Sequence, residues 1–84
     1  MNERERRKRL NAIFDGGPVY PEDRRYALAI CDVSQSDIAR QLRCARSTVS
    51  MVVSGECKSA AVCQAIAQRI DEPVDLVWPE KAKS

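Results

Sequence analysis

A chain of 84 residues makes one small domain that buries only about 60–65% of its unfolded surface, too little to enclose a deep catalytic cavity beside its core. Its 14 basic and 12 acidic residues leave a net charge of +2, so bulk charge selects no partner. No apolar run approaches the ~20 residues of a membrane span and the charged N-terminus has no apolar signal core, so the expected setting is the cytoplasm, away from membranes.

Charge distribution says more than its total. Residues 1–9 hold Arg4, Arg6, Arg7, Lys8 and Arg9 against Glu3 and Glu5, whereas residues 71–80 hold Asp71, Glu72, Asp75 and Glu80 against no base. Residues 2–14 are helix-compatible, with Glu3 to Arg7 and Glu5 to Arg9 spaced as i,i+4 pairs. The basic run is either a phosphate-contacting surface or a solvated helix face. Leu10, Ile13 and Phe14 form an apolar patch too short to stand alone, which must dock on the domain or on a second subunit, or else the segment frays. Asp15-Gly-Gly-Pro18 then breaks the helix. Pro21 suits the first position of a second helix running to about Cys31, with Glu22 and Asp23 in its first turn and Ala27, Leu28, Ile30 and Cys31 on its inner face.

Two short helices joined by a tight turn are expected between Ser34 and Gly55. Ser34 and Asp37 have the spacing of a capping box, and Val33 and Ile38 that of a hydrophobic staple. Ile38, Ala39 and Leu42 give the first helix one apolar face; Ala45, Val49, Val52 and Val53 repeat at the same period in the second, until Gly55 can take a left-handed C-terminal position. Ala39 supplies the small residue that a steep crossing needs. At roughly 100° per residue, Ser47, Ser50, Met51 and Ser54 lie on the free side of the second helix, with Arg46 on its flank and Thr48 near the buried boundary. A major groove about 12 Å wide admits such a helix. Arg40, Arg43 and Arg46 recur around the turn. An ordinary helical hairpin with a solvated polar face is the bland alternative.

Beyond Gly55, Ser59 caps a helix expected through Ile70, with Val62, Cys63, Ile66, Ala67 and Ile70 on one face. Val74 to Trp78 allows one further turn before Pro79. Trp78 is read as a hydrophobic seal in preference to a stacking platform for a ligand. The cysteines Cys31, Cys44, Cys57 and Cys63 include no C-x-x-C pair and there is no histidine, so free thiols are preferred to zinc or disulfides.

The run containing Gln35, Ala39, Leu42, Val49 and Gly55 resembles the helix-turn-helix of phage repressors and Cro-like regulators. With SQSDIARQL, the Ser47-Thr48 pair and the tail VDLVWPEK, residues 26–81 are similar to the Ner-like regulators of Mu-type transposable phages. Two departures bear on the turn. Arg43 stands where a glycine is common, so a non-glycine residue is expected at φ > 0. Ala45 stands where a hydroxyl residue often caps the recognition helix, a loss of ~1 kcal/mol.

The resemblance implies an all-α, lambda-repressor-like bundle of four to five helices plus an additional N-terminal helix. Residues 1–19 would form the basic helix and turn, 20–80 the DNA-binding domain and 81–84 a loose tail. The implied function is sequence-specific binding to double-stranded DNA, with repression of phage or prophage early genes, as a homodimer at least on its operator. Arg46, Ser47, Ser50 and Met51 are expected to read bases, with Thr48 beside them; Gln35, Arg43, Ser54 and Lys58 are expected to hold the backbone. No cofactor, metal or small-molecule ligand is expected. An enzyme is disfavoured by the lack of histidine, phosphate loop or paired carboxylates. The competing class is a helix-turn-helix module that binds protein.

Overall fold

The computed structural model describes residues 2–79; the loose tail expected at 81–84 lies outside them. Among the described residues there are six helices and no strand: α1 (Glu3–Ile13), α2 (Pro21–Ile30), α3 (Gln35–Leu42), α4 (Arg46–Ser54), α5 (Ala60–Ile70) and α6 (Val74–Val77). The all-α bundle expected from sequence is therefore present.

Helix starts follow local chemistry. The Asn2 carboxamide oxygen accepts the Glu5 N–H at 2.8 Å, and Pro21 opens α2 while the Asp23 carboxylate accepts the Tyr20 N–H at 3.0 Å. Ser34 and Asp37 form the expected reciprocal box, the serine oxygen accepting from Asp37 N–H at 3.0 Å and the carboxylate from Ser34 N–H at 3.3 Å. Between α1 and α2, Asp15 Oδ1 accepts the Gly17 N–H and Gly16 turns the chain at φ 99°.

Four successive helices end in one way. After α2, α3, α4 and α5, a residue in the left-handed region, respectively Asp32, Arg43, Gly55 and Asp71, lets its own N–H and that of the next residue return to the last turn. Val33 N–H bonds to Leu28 O, Cys44 to Ala39 O, Glu56 to Met51 O and Glu72 to Ala67 O, all between 2.9 and 3.0 Å. This is the Schellman arrangement. Only one of the four uses glycine.

One core joins all six helices. Ile38 and Ala39 of α3 meet Val49, Val52 and Val53 of α4, and Val62, Cys63, Ile66 and Ile70 of α5 close the bundle with Val77 and Trp78. Leu10 is fully buried, and Phe14 and Val19 nearly so, in that same core. The apolar patch of α1 thus docks on its own chain. Arg7 departs from its expected i,i+4 role: it crosses to the end of α5, where it donates to Glu72 at 2.7 Å and to the Ile70 carbonyl at 3.2 Å. Arg9 does pair with Glu5, at 3.0 Å. Ala45 also differs from its assigned apolar face: it is the exposed N-cap of α4, one residue outside the helix and off its buried stripe.

Candidate nucleic-acid interface

The α3–turn–α4 unit positions the residues singled out in the sequence. Its turn depends on Arg43, which adopts φ 56° and ψ 45° with no glycine to relieve the strain. The steric cost is of order 1–2 kcal/mol, partly offset by the two hydrogen bonds that close α3. The conformation leaves the Arg43 side chain exposed beside the start of α4.

Helix α4 is two-faced. Val49, Val52 and Val53 are fully buried, whereas Arg46, Ser47, Ser50 and Met51 are exposed and Thr48 sits at the boundary. No side chain caps its N-terminus, and its first turn contains no acid. Arg46 instead places a cation at the positive end of the helix dipole, an arrangement that lowers helix stability. Folding therefore gives no reason for an arginine here, but an anion in front of this helix end would.

The flanking residues are less uniform. Gln35, the first residue of α3, is half-exposed, and Lys58 is exposed in the loop before α5. Ser54 is half-buried, and its hydroxyl lies 2.9 Å from the Met51 carbonyl, to which it can donate, and 3.3 Å from a Glu56 carboxylate oxygen. A single hydroxyl proton serves one acceptor at a time, so Ser54 is partly engaged within the protein. Glu56 adds a negative charge at this end, which the sequence reading did not include.

Further basic residues join the flank of α3. Arg40, whose side chain is 78% exposed, lies 3.5 Å from Asp37, and Arg69 of α5 donates to the Gln41 side chain at 3.3 Å. The Ser34 backbone N–H, then its hydroxyl, hold the Asp37 carboxyl below its ordinary range, with burial opposing and Arg40 and Arg69 assisting. Arg69 escaped the sequence reading because nothing local ties the end of α5 to α3.

The largest omission is Arg24. Only 3% exposed, it donates from Nε to the Val77 carbonyl and from Nη1 to the Val53 carbonyl, each at 3.0 Å. Its guanidinium carbon lies 5.0 Å from the centre of the Trp78 ring, whose indole N–H points to Val52 O at 3.4 Å. Two carbonyls in the last turn of α4 are thereby fixed from α2 and from the segment after α6. The signal was in the spacing: Arg24 precedes Ala27, Leu28 and Cys31 by three, four and seven residues, an interior stripe where a charge needs explanation. Trp78 is buried as a seal.

Cys31, Cys44 and Cys57 are free thiols, and among the described residues no group of three or more His, Cys, Asp or Glu side chains gathers to hold a metal ion. No described helix is long and apolar enough to cross a membrane. No family model, curated protein or solved structure matches the chain, so the function of the α4 face rests on its own chemistry.

Proposed function

We propose that this protein is a sequence-specific double-stranded DNA-binding regulator of transcription that uses binding, not catalysis. The observation that carries the reading is the division of α4 into a fully buried valine face and an exposed face of Arg46, Ser47, Ser50 and Met51, on a helix anchored at its far end by Arg24. In the major groove, Arg46 suits bidentate donation to guanine, the serine hydroxyls suit either donors or acceptors, and the Met51 side chain suits a thymine methyl. Thr48 lies at the edge of that contact. Gln35, Arg43, Lys58 and, more weakly, Ser54 would meet phosphates on either side.

A module of this size contacts few base pairs, and a homodimer on half-sites about 34 Å apart supplies the missing specificity. The similarity to Ner-like regulators supports repression of phage or prophage early genes by promoter occlusion, in the bacterial cytoplasm. Footprinting on DNA flanking its own gene, repeated over a range of salt, tests the reading. Expected are paired protected segments and an affinity that falls linearly on a log–log salt plot. Failure to bind any duplex at low salt would overturn it and leave the α4 face as a protein-docking surface.

A further inference from the structure

A second basic feature lies away from α4. Glu3, Arg6, Arg7 and Leu10 recur at i, i+3, i+4 and i+7, so α1 turns two arginines toward the interior. Between this stripe and the end of α5 is a cleft of 420 Å³, with Arg4 at its edge and Cys31, Arg69, Ile70 and Asp71 completing the wall. None of these residues belongs to α3 or α4.

The two inward arginines are treated differently. Arg7 is satisfied by Glu72, by the Ile70 carbonyl and by Asp71 at 3.4 Å. Arg6 is half-buried, and its Nε–H is enclosed without an acceptor; among the described residues it is the one buried side-chain nitrogen or oxygen left so. An enclosed guanidinium donor without an acceptor is costly and rare; because that nitrogen is closed to solvent, an anion in the cleft would meet the terminal nitrogens of the same guanidinium and offset its uncompensated charge. Charge in the cleft favours an anion. Arg4, Arg6, Arg7 and Arg69 face the carboxylates of Glu3, Asp71 and, beside the cleft, Glu72, which leaves a surplus of one positive charge.

We propose that this cleft binds a phosphate group, held by Arg6 from within and by Arg4 and Arg69 from the rim. A tetrahedral oxyanion supplies acceptors for the planar fork of arginine and matches the surplus of positive charge. The phosphate would belong either to a free phosphorylated small molecule or to the backbone of a nucleic acid. The inference is independent of base reading by α4 and fails or stands separately from it.

Cys31 is a built-in reporter. Burial raises its thiol pKa, while Arg6 and Arg7 act in the opposite sense and Glu72 adds to the rise. Phosphate in the cleft would both cover the thiol and cancel the arginine field. The full chain is alkylated with iodoacetamide in potassium phosphate and in potassium chloride of equal ionic strength, and each cysteine is followed by peptide mapping. Cys44 and Cys57, both partly exposed, serve as references in the same sample. Phosphate should slow alkylation at Cys31 selectively. In Arg6→Gln the half-protecting concentration should rise about tenfold, as expected for loss of one charge-assisted contact. Arg4→Gln, at an exposed position, should shift it in the same direction without disturbing packing, with circular dichroism as the folding control. No selective protection, or protection unchanged in both folded variants, overturns the proposal. Replacing phosphate with a duplex of arbitrary sequence identifies the source: protection of Cys31 by the duplex that weakens in Arg6→Gln assigns the site to a nucleic-acid backbone, and protection by inorganic phosphate alone assigns it to a free phosphorylated compound.

Discussion

Arg43 and Arg46 sit three residues apart, and neither is where folding alone would put an arginine. At φ 56°, Arg43 occupies a conformation that glycine adopts without strain. Arg43→Gly should raise stability by up to about 1 kcal/mol in urea denaturation, after the extra entropy of an unfolded glycine is deducted. The same variant should bind all DNA sequences more weakly and lower the salt slope by about 1. An unchanged slope removes Arg43 from the phosphate contacts. Arg46→Ala should leave stability unchanged or slightly higher, since it removes a cation from the positive end of α4. Its effect on a specific half-site should be a loss of about 1–3 kcal/mol with relaxed preference at one base position. Equal weakening on random DNA would reassign it to the backbone.

At the scale of the helix, α3 carries a pH dependence with a definite sign. Hydrogen bonds from Ser34 depress the folded-state pKa of Asp37 below its unfolded value. The stabilisation is therefore fully present above the unfolded carboxylate pKa and is lost as pH falls through the folded one. Asp37→Asn should be less stable than the parent near neutrality, and the gap should close on acidification below the carboxylate range. A gap that stays constant across an acid titration of denaturant midpoints would exclude this linkage.

Helix α1 is an integral element of the core. Leu10 and Phe14 each contribute about 2–3 kcal/mol by burial, against a total stability that small domains keep near 5 kcal/mol or little more. Deletion of residues 2–14 should thus abolish the cooperative thermal transition seen by circular dichroism. A truncated chain that still melted cooperatively near the parent temperature would show that the remaining helices close a core by themselves. Substitution of exposed Arg4 or Lys8, not truncation, separates any DNA contact of this helix from its part in folding.

At the scale of the molecule, Arg24 couples α2, α4 and α6 through two backbone carbonyls. Arg24→Met keeps much of the side-chain volume but strands those carbonyls, and should cost about 3 kcal/mol or more in denaturant titration. Stability within about 0.5 kcal/mol of the parent, the range of neutral surface changes, would mean that the carbonyls find other donors at little cost.

Local physics made much of this molecule legible in its sequence. Caps at Ser34 and Ser59, the proline at position 21, the break at Asp15-Gly-Gly and the helical period of Val49, Val52 and Val53 act over a few residues, so they locate helices and the exposed face of α4. The left-handed Arg43 was expected from the resemblance, which puts a turn glycine at that position. Left-handed Asp32 and Asp71 were not, because aspartate only tolerates that conformation and the hydrogen bonds that select it form when the helix ends pack. Tertiary structure alone decided the contacts between distant residues. It folded the basic N-terminal and acidic C-terminal segments together through Arg7 and Glu72, buried Arg24 against carbonyls 29 and 53 residues away, and left Arg6 enclosed without an acceptor. Periodicity states which side of a helix is turned inward, but the acceptor that meets a charge there is supplied by another helix, whose placement depends on the packing of the whole core.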